Sequence, residues 1–168
     1  MDKAKLLEIY AKIEEYEKII IGVHKRPDGD CLGTAYGLKD IIKTTWPEKK
    51  VSVAAETVKY LKFLGKPNEL KDEDFKGALF ISVDTAGADR IYEQRYNLAD
   101  FFIKMDHHLA VENFGDIDYV DTGRPAATLI VIDLFNVSKG KMKMSKDGAR
   151  ALYTGALTDT GRFKYSGV

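Results

Sequence analysis

Apolar positions along this chain change their spacing several times, and each change marks an element. Over residues 2–17, Leu6, Ile9, Tyr10, Ile13 and Tyr16 recur at three- and four-residue steps among lysines and glutamates, which predicts an amphipathic helix. Lys18–Val23 is apolar after its first residue, the pattern of a strand covered on both faces. A helical pattern returns from about Leu32 to Thr45 and is stopped by Trp46-Pro47. Gly33 and Gly37 share one face of it, which predicts close approach to the sheet or to a ligand at the helix start. Lys50–Ala54 reads as a short strand. Val58, Leu61, Phe63 and Leu64 read as a short helix ended at Gly65-Lys66-Pro67. Ala78–Val83 and Asp100–Met105 read as further strands, Asp89–Tyr92 as a short helical piece between them, and Ile117–Val120 as an edge strand. Two helices close the pattern, Leu129–Phe135 and Lys146–Thr158, the second with Ser145 as N-cap.

Strands that alternate with helices imply an α/β fold: an open, mostly parallel sheet with helices on both faces. In such a sheet the carboxyl ends of all strands lie on one rim, where ligands bind. His24 ends the first strand, Asp84 follows Val83, and Asp106 follows Met105. These positions are far apart in sequence, yet the topology predicts that they converge.

Composition narrows the chemistry only slightly. The chain has 168 residues, 45% hydrophobic and 31% charged, which suits one soluble globular domain with a real core. Its 26 basic and 26 acidic residues balance, so net charge favours neither nucleic acid nor a membrane surface. The single cysteine, Cys31, cannot form an internal disulfide, which points to a reducing cytoplasm. Its expected role is a small buried filler. No apolar run approaches the roughly 18–20 residues needed to cross a bilayer, and no secretory signal is legible.

The three histidines, His24, His107 and His108, all fall in the strand-terminal loops. Asp28, Asp30, Asp84, Asp106 and Asp159 join them. Asp28 and Asp30 lie two apart in what reads as an extended loop, so they would project to the same side. Carboxylates held that close repel, and a cation relieves the repulsion. Nitrogen and oxygen donors without a thiolate requirement suit manganese, magnesium or iron better than structural zinc. The set is too large for one ion and fits two, ~3.5–4 Å apart and bridged by a carboxylate, an arrangement that serves in-line attack on phosphorus. Asp159 would sit at a helix C-terminus, where the dipole disfavours a carboxylate unless a cation is near. Asp84 and Asp106 could instead be ordinary helix caps. Arg124 and the free N–H groups of Ala126–Thr128 could hold a phosphate. Glu112, Asp116, Asp118, Asp121 and the basic run Lys139–Lys143 read as solvated loop charges.

Four stretches carry a specific resemblance: His24-Lys-Arg-Pro-Asp28-Gly-Asp30, Val83-Asp84-Thr85-Ala86, Asp106-His107-His108, and Leu157-Thr-Asp159-Thr-Gly161. In that order they resemble the signature motifs of the DHH phosphoesterase superfamily. The Pro-Asp-Gly-Asp and Asp-Thr-Ala forms are most similar to its oligoribonuclease/pAp-phosphatase (nanoRNase) branch. The resemblance implies a Rossmann-like domain with two divalent ions, manganese first, with magnesium, iron or cobalt as substitutes. One ion would take His24, Asp28 and Asp84, the other Asp30, Asp84, His107 and Asp159, with Asp84 as the bridge. His108 would face the substrate phosphate and Asp106 would support the ligand shell. The implied substrates are short single-stranded oligoribonucleotides, pAp or cyclic dinucleotides. Alternatives are an inorganic pyrophosphatase of the same superfamily, or a non-catalytic domain that binds metal or nucleotide. A homodimer is an allowed assembly. The family's second, substrate-holding domain and its Gly-Gly-Gly-His stretch are absent from these 168 residues, so residues 1–168 read as a catalytic half with weak activity by itself.

Overall fold

A computed structural model describes residues 1–109 and 112–165. Ser166–Val168 lie outside the described residues. The helix α1 (Lys3–Glu15) precedes β1 (Lys18–Gly22), α2 (Gly29–Thr45) and β2 (Lys50–Ala54). Then come α3 (Asp72–Phe75), β3 (Ala78–Val83), β4 (Phe101–Asp106), β5 (Ile117–Val120), α4 (Ala127–Val137) and α5 (Lys146–Asp159). Short 3₁₀ turns occupy Lys59–Leu61, Ala88–Arg90 and Gln94–Leu98. The five strands form one sheet in the order β2-β1-β3-β4-β5, and every pairing is parallel.

That order fixes where the connections go. The chain steps from β1 outward to β2, then crosses back over β1 to β3 and continues to β4 and β5. Parallel crossovers are right-handed, so the reversal sends α2 to one face and the next two connections to the other. The two faces are accordingly covered unequally. Leu6, Ile9 and Ile13 of α1 pack with Leu38 and Ile42 of α2, Ile130 and Leu134 of α4 and Leu152 of α5 over Ile19, Ile21, Leu79, Ile81 and Ile103. The opposite face, with Ile20, Phe80 and Phe102, is covered by Phe75 of α3 and by Tyr96 and Phe114. Residues 55–77 carry Gly65-Lys66-Pro67, which interrupts any long helix there.

The helix α2 begins at Gly29, three residues before the expected start, because Asp28 caps it by accepting from the Cys31 N–H at 3.0 Å. Gly33 faces α5 rather than the sheet. A methyl group there would lie 2.6 Å from the Ala151 carbonyl oxygen and 2.9 Å from the Gly155 nitrogen, so the absence of a side chain lets α5 lie directly on α2. Gly37 likewise meets Leu152 of α5. Asp40 of α2 secures the start of α5, accepting from the Ser145 N–H at 2.9 Å and from its hydroxyl at 2.6 Å. The order of strands also leaves a crevice between the ends of β1 and β3, where the direction of the chain reverses.

Candidate metal centre

The carboxyl ends of β1, β3 and β4 meet at that crevice, and the N-terminus of α2 and C-terminus of α5 close on it. His24 follows β1 and is nearly buried. Its Nδ1 lies 2.9 Å from the Lys25 carbonyl oxygen, which accepts the ring N–H and leaves Nε2 free. That Nε2 lies 3.9 Å from Asp28 Oδ2 and 3.7 Å from Asp84 Oδ2. His107 is set the same way: Nδ1 donates to the Arg124 carbonyl at 3.0 Å. Its Nε2 lies 3.3 Å from Asp84 Oδ1, 3.6 Å from Asp159 Oδ2 and 3.7 Å from Asp30 Oδ2.

Asp84 therefore stands between two imidazoles, one at each oxygen. It is 3% exposed, its Oδ1 has no hydrogen-bond partner, and its backbone is left-handed with φ +52°. An aspartate tolerates that conformation better than most residues, and it turns the carboxylate in from the strand end. Its N–H still donates to the Met105 carbonyl at 3.0 Å, so the turn stays tied to β4. It caps no helix.

Asp28 and Asp30 do not project to the same side, because they sit at the cap and in the first turn of a helix. Asp28 turns to His24. Asp30 turns under α4, which has no side-chain cap of its own. There Asp30 accepts the N–H groups of Ala127 at 2.6 Å and Thr128 at 3.2 Å. Two of the N–H groups expected to hold a phosphate, those of Ala127 and Thr128, are thus engaged by Asp30. Burial first, and then the neighbouring charge of Asp84, push the Asp30 carboxyl up to about 7. Asp159 is the last residue of α5, and burial together with Asp84 raises its carboxyl although His107 draws it down. Burial opposes charge on His107, but Asp84 and Asp30 hold its proton up to about 9.

His108 differs from the other two histidines. Its Nδ1 donates to Asp106 Oδ1 at 2.8 Å, which also accepts the His107 N–H at 2.9 Å. Half its side chain is exposed. Asp106 is wholly buried and caps nothing. Burial works to raise its carboxyl, but His108 and Lys104 hold it below the usual range.

The donor set fits cations. Ligand atoms of Asp84, His107 and His108, and those of Asp30, His107 and Asp159, gather within 4.8 Å. An orphaned buried carboxylate oxygen and carboxyls raised by burial and by their neighbours' charge are what a bound ion relieves. Cys31 joins His24 and Asp84 in a third such group, but burial pushes its thiol well up, so it stays a protonated filler.

Arg124 is placed otherwise than a phosphate ligand. Its guanidinium makes a bidentate pair with Asp133 of α4, at 2.7 and 2.8 Å, and it reaches the site only through its carbonyl. Asp133 was signalled in the sequence only as a polar residue within an apolar helix. The supposed loop charges are also employed. Asp116 accepts from the Phe102 N–H at 2.8 Å, Asp118 from Gly115 at 3.1 Å and Glu112 from Ala88 at 2.8 Å, while Asp121 pairs with the N-terminal amine at 3.1 Å.

This parallel α/β domain gathers imidazoles and carboxylates at its topological switch point, where ligands of such folds bind. The chain is a member of the DHH family, whose N-terminal domain matches residues 18–156. It is 43% identical over 157 residues to the "Probable bifunctional oligoribonuclease and PAP phosphatase NrnA" of Streptococcus mutans, covering 94% of this chain and 50% of that protein. It is 35% identical over 159 residues to the bifunctional oligoribonuclease and PAP phosphatase NrnA of Bacillus subtilis, covering 94% and 51%. Among solved structures, an exopolyphosphatase-related protein of Bacteroides fragilis superposes with a TM-score of 0.85 at 28% identity, covering 98% of this chain and 52% of that one. The chain spans about half the length of these relatives. Among the described residues, no helix is long and apolar enough to cross a membrane.

Proposed function

We propose that this domain binds two divalent ions, manganese by preference, and hydrolyses phosphoester bonds of small nucleotides. Short oligoribonucleotides, pAp and cyclic dinucleotides are the substrate class, and a cytoplasmic setting suits them. The observation that supports this reading best is Asp84, buried between two imidazoles with His24 at one oxygen and His107 at the other. His24, Asp28 and Asp84 would hold one ion, and Asp30, Asp84, His107 and Asp159 the other. When bound, the ions lower the pKa of the attacking water and neutralise charge on the phosphoryl oxygens.

The chain's own groups supply orientation and a further charge. The Lys25 and Arg124 carbonyls fix which ring nitrogen of His24 and His107 faces the site. His108 is held at Nδ1 by Asp106, which leaves Nε2 for the substrate in this reading. As an imidazolium it would donate to a phosphoryl oxygen, and Asp106 favours that charged form. Arg124 is left out of phosphate binding because Asp133 engages its guanidinium. A second domain such as the longer relatives carry would wall the crevice and position the nucleotide.

The test is turnover with manganese on a dinucleotide, pAp, cyclic di-AMP and pyrophosphate. Hydrolysis of the nucleotides ahead of pyrophosphate is expected. Preference for pyrophosphate would assign the pyrophosphatase branch, and metal binding without any turnover would leave a binding domain.

A further inference from the structure

The outward face of β4, opposite the four long helices, reads Phe102, Lys104, Asp106. Phe102 packs in the aromatic cluster and Asp106 reaches the crevice, while Lys104 between them is wholly buried. A lysine in an inner strand of a parallel sheet is costly to bury unless its charge and its N–H groups are met. Here they are. The ammonium donates to the Ala86 carbonyl at 2.8 Å and to the Glu112 carbonyl at 3.2 Å, lies 3.9 Å from Asp106 Oδ2, and sits 4.4 Å from the centre of the Phe114 ring.

The three polar contacts lead back to the site. Ala86 lies in the turn that begins with Asp84. Glu112 follows the Asp106–His108 segment, and its own carboxylate holds the Ala88 N–H at 2.8 Å. Asp106 Oδ2 has no hydrogen-bond partner, and its other oxygen holds His108. Asp106, the aspartate that the ions are not expected to take, instead lies between two cationic side chains, His108 at one oxygen and Lys104 at the other.

We propose that Lys104 is a positioning residue, whose ammonium compensates Asp106 and pins the turn after Asp84, so that Asp106 holds His108 with Nε2 toward the substrate. This rests on the hydrolase reading for the role of His108. It separates the aspartates into metal ligands and one that serves a histidine.

The experiment uses Lys104→Met, Asp106→Asn and the double variant of this chain, loaded with manganese, with bis(p-nitrophenyl) phosphate as probe. Lys104→Met should keep two metals and an unchanged KM while kcat falls about 10- to 100-fold. Adding it to Asp106→Asn should cost less than about twofold more, because one acts through the other. An unchanged kcat, a loss confined to metal content or KM, or effects that simply multiply would overturn the proposal. If Lys104→Met fails to fold, the double variant removes both buried charges and should recover the fold. A double variant no more stable than the single one overturns the pairing. If the unmutated chain does not turn over the probe, the hydrolase reading fails on its own. Nitrogen NMR of the metal-free chain then decides the matter: Lys104→Met should lose the hydrogen-bonded Nδ1 proton of His108, and an unaltered His108 signal would count against Lys104.

Discussion

An imidazole binds a metal only through a nitrogen that carries no proton. His24 and His107 both give the Nδ1 proton to a backbone carbonyl, so Nε2 is the free nitrogen in each. His108 gives its Nδ1 proton to a carboxylate instead, which favours charge and suits a phosphate better than a metal. Two substitutions test these roles. Asp84→Asn removes the charge shared by both ion positions, so metal content should fall from two per chain toward zero by elemental analysis. His108→Ala should keep both ions while kcat falls about a hundredfold. Loss of metal from that variant would mean the two histidines are reversed. The pH response has a definite sign. Asp30 and His107 bind their protons more tightly in the folded, metal-free chain than in the unfolded one. The stability from His107 is complete below its unfolded value of about 6.5 and is lost as pH rises through about 9. That from Asp30 is lost as pH rises through about 7. The chelated chain should therefore melt at lower temperature as pH rises from about 6 to 9, while manganese affinity increases because the ions need both groups deprotonated. A chelated chain that gains stability over that range would contradict the assignment of these charges.

At the level of elements, the site depends on how closely α2 lies on α5, since one carries Asp28 and Asp30 and the other ends in Asp159. Gly33→Ala would place a methyl 2.6 Å from the Ala151 carbonyl oxygen. Pushing the helices apart should cost about 1–3 kcal/mol in urea unfolding and also weaken manganese binding. Stability lost with metal affinity unchanged would show that α5 does not position Asp159. The sequence made the strands and their polar ends legible because apolar runs stop at His24, Asp84 and Asp106. It did not reveal the α2–α5 contact, since glycine spacing marks a close approach without naming the partner. Nor did it reveal Asp30 as the cap of α4, since a cap is normally sought next to its own helix. The Arg124–Asp133 pair was hidden for a similar reason: a charge beside a helix start looks the same whether its partner is a ligand or the next turn. Lys104 did leave a signal, a charge at an apolar position of a strand.

For the whole molecule, the single reversal of chain direction in the strand order creates the crevice, and the proposed ligand residues fall on it. Half the length of the relatives holds all of these residues, so the domain should bind its ions alone. A longer form carrying a second half like theirs should raise kcat/KM on a dinucleotide by about a hundredfold or more through positioning, and less on a small activated diester. Equal values for both forms would place the whole substrate site within residues 1–168. The central claim is a pair of ions joined through Asp84, and electron paramagnetic resonance of the manganese-loaded chain reads it directly. Two ions per chain with the spectrum of a coupled pair, lost in Asp84→Asn, is the expected result. A single uncoupled ion, or a coupled pair that survives Asp84→Asn, would contradict it.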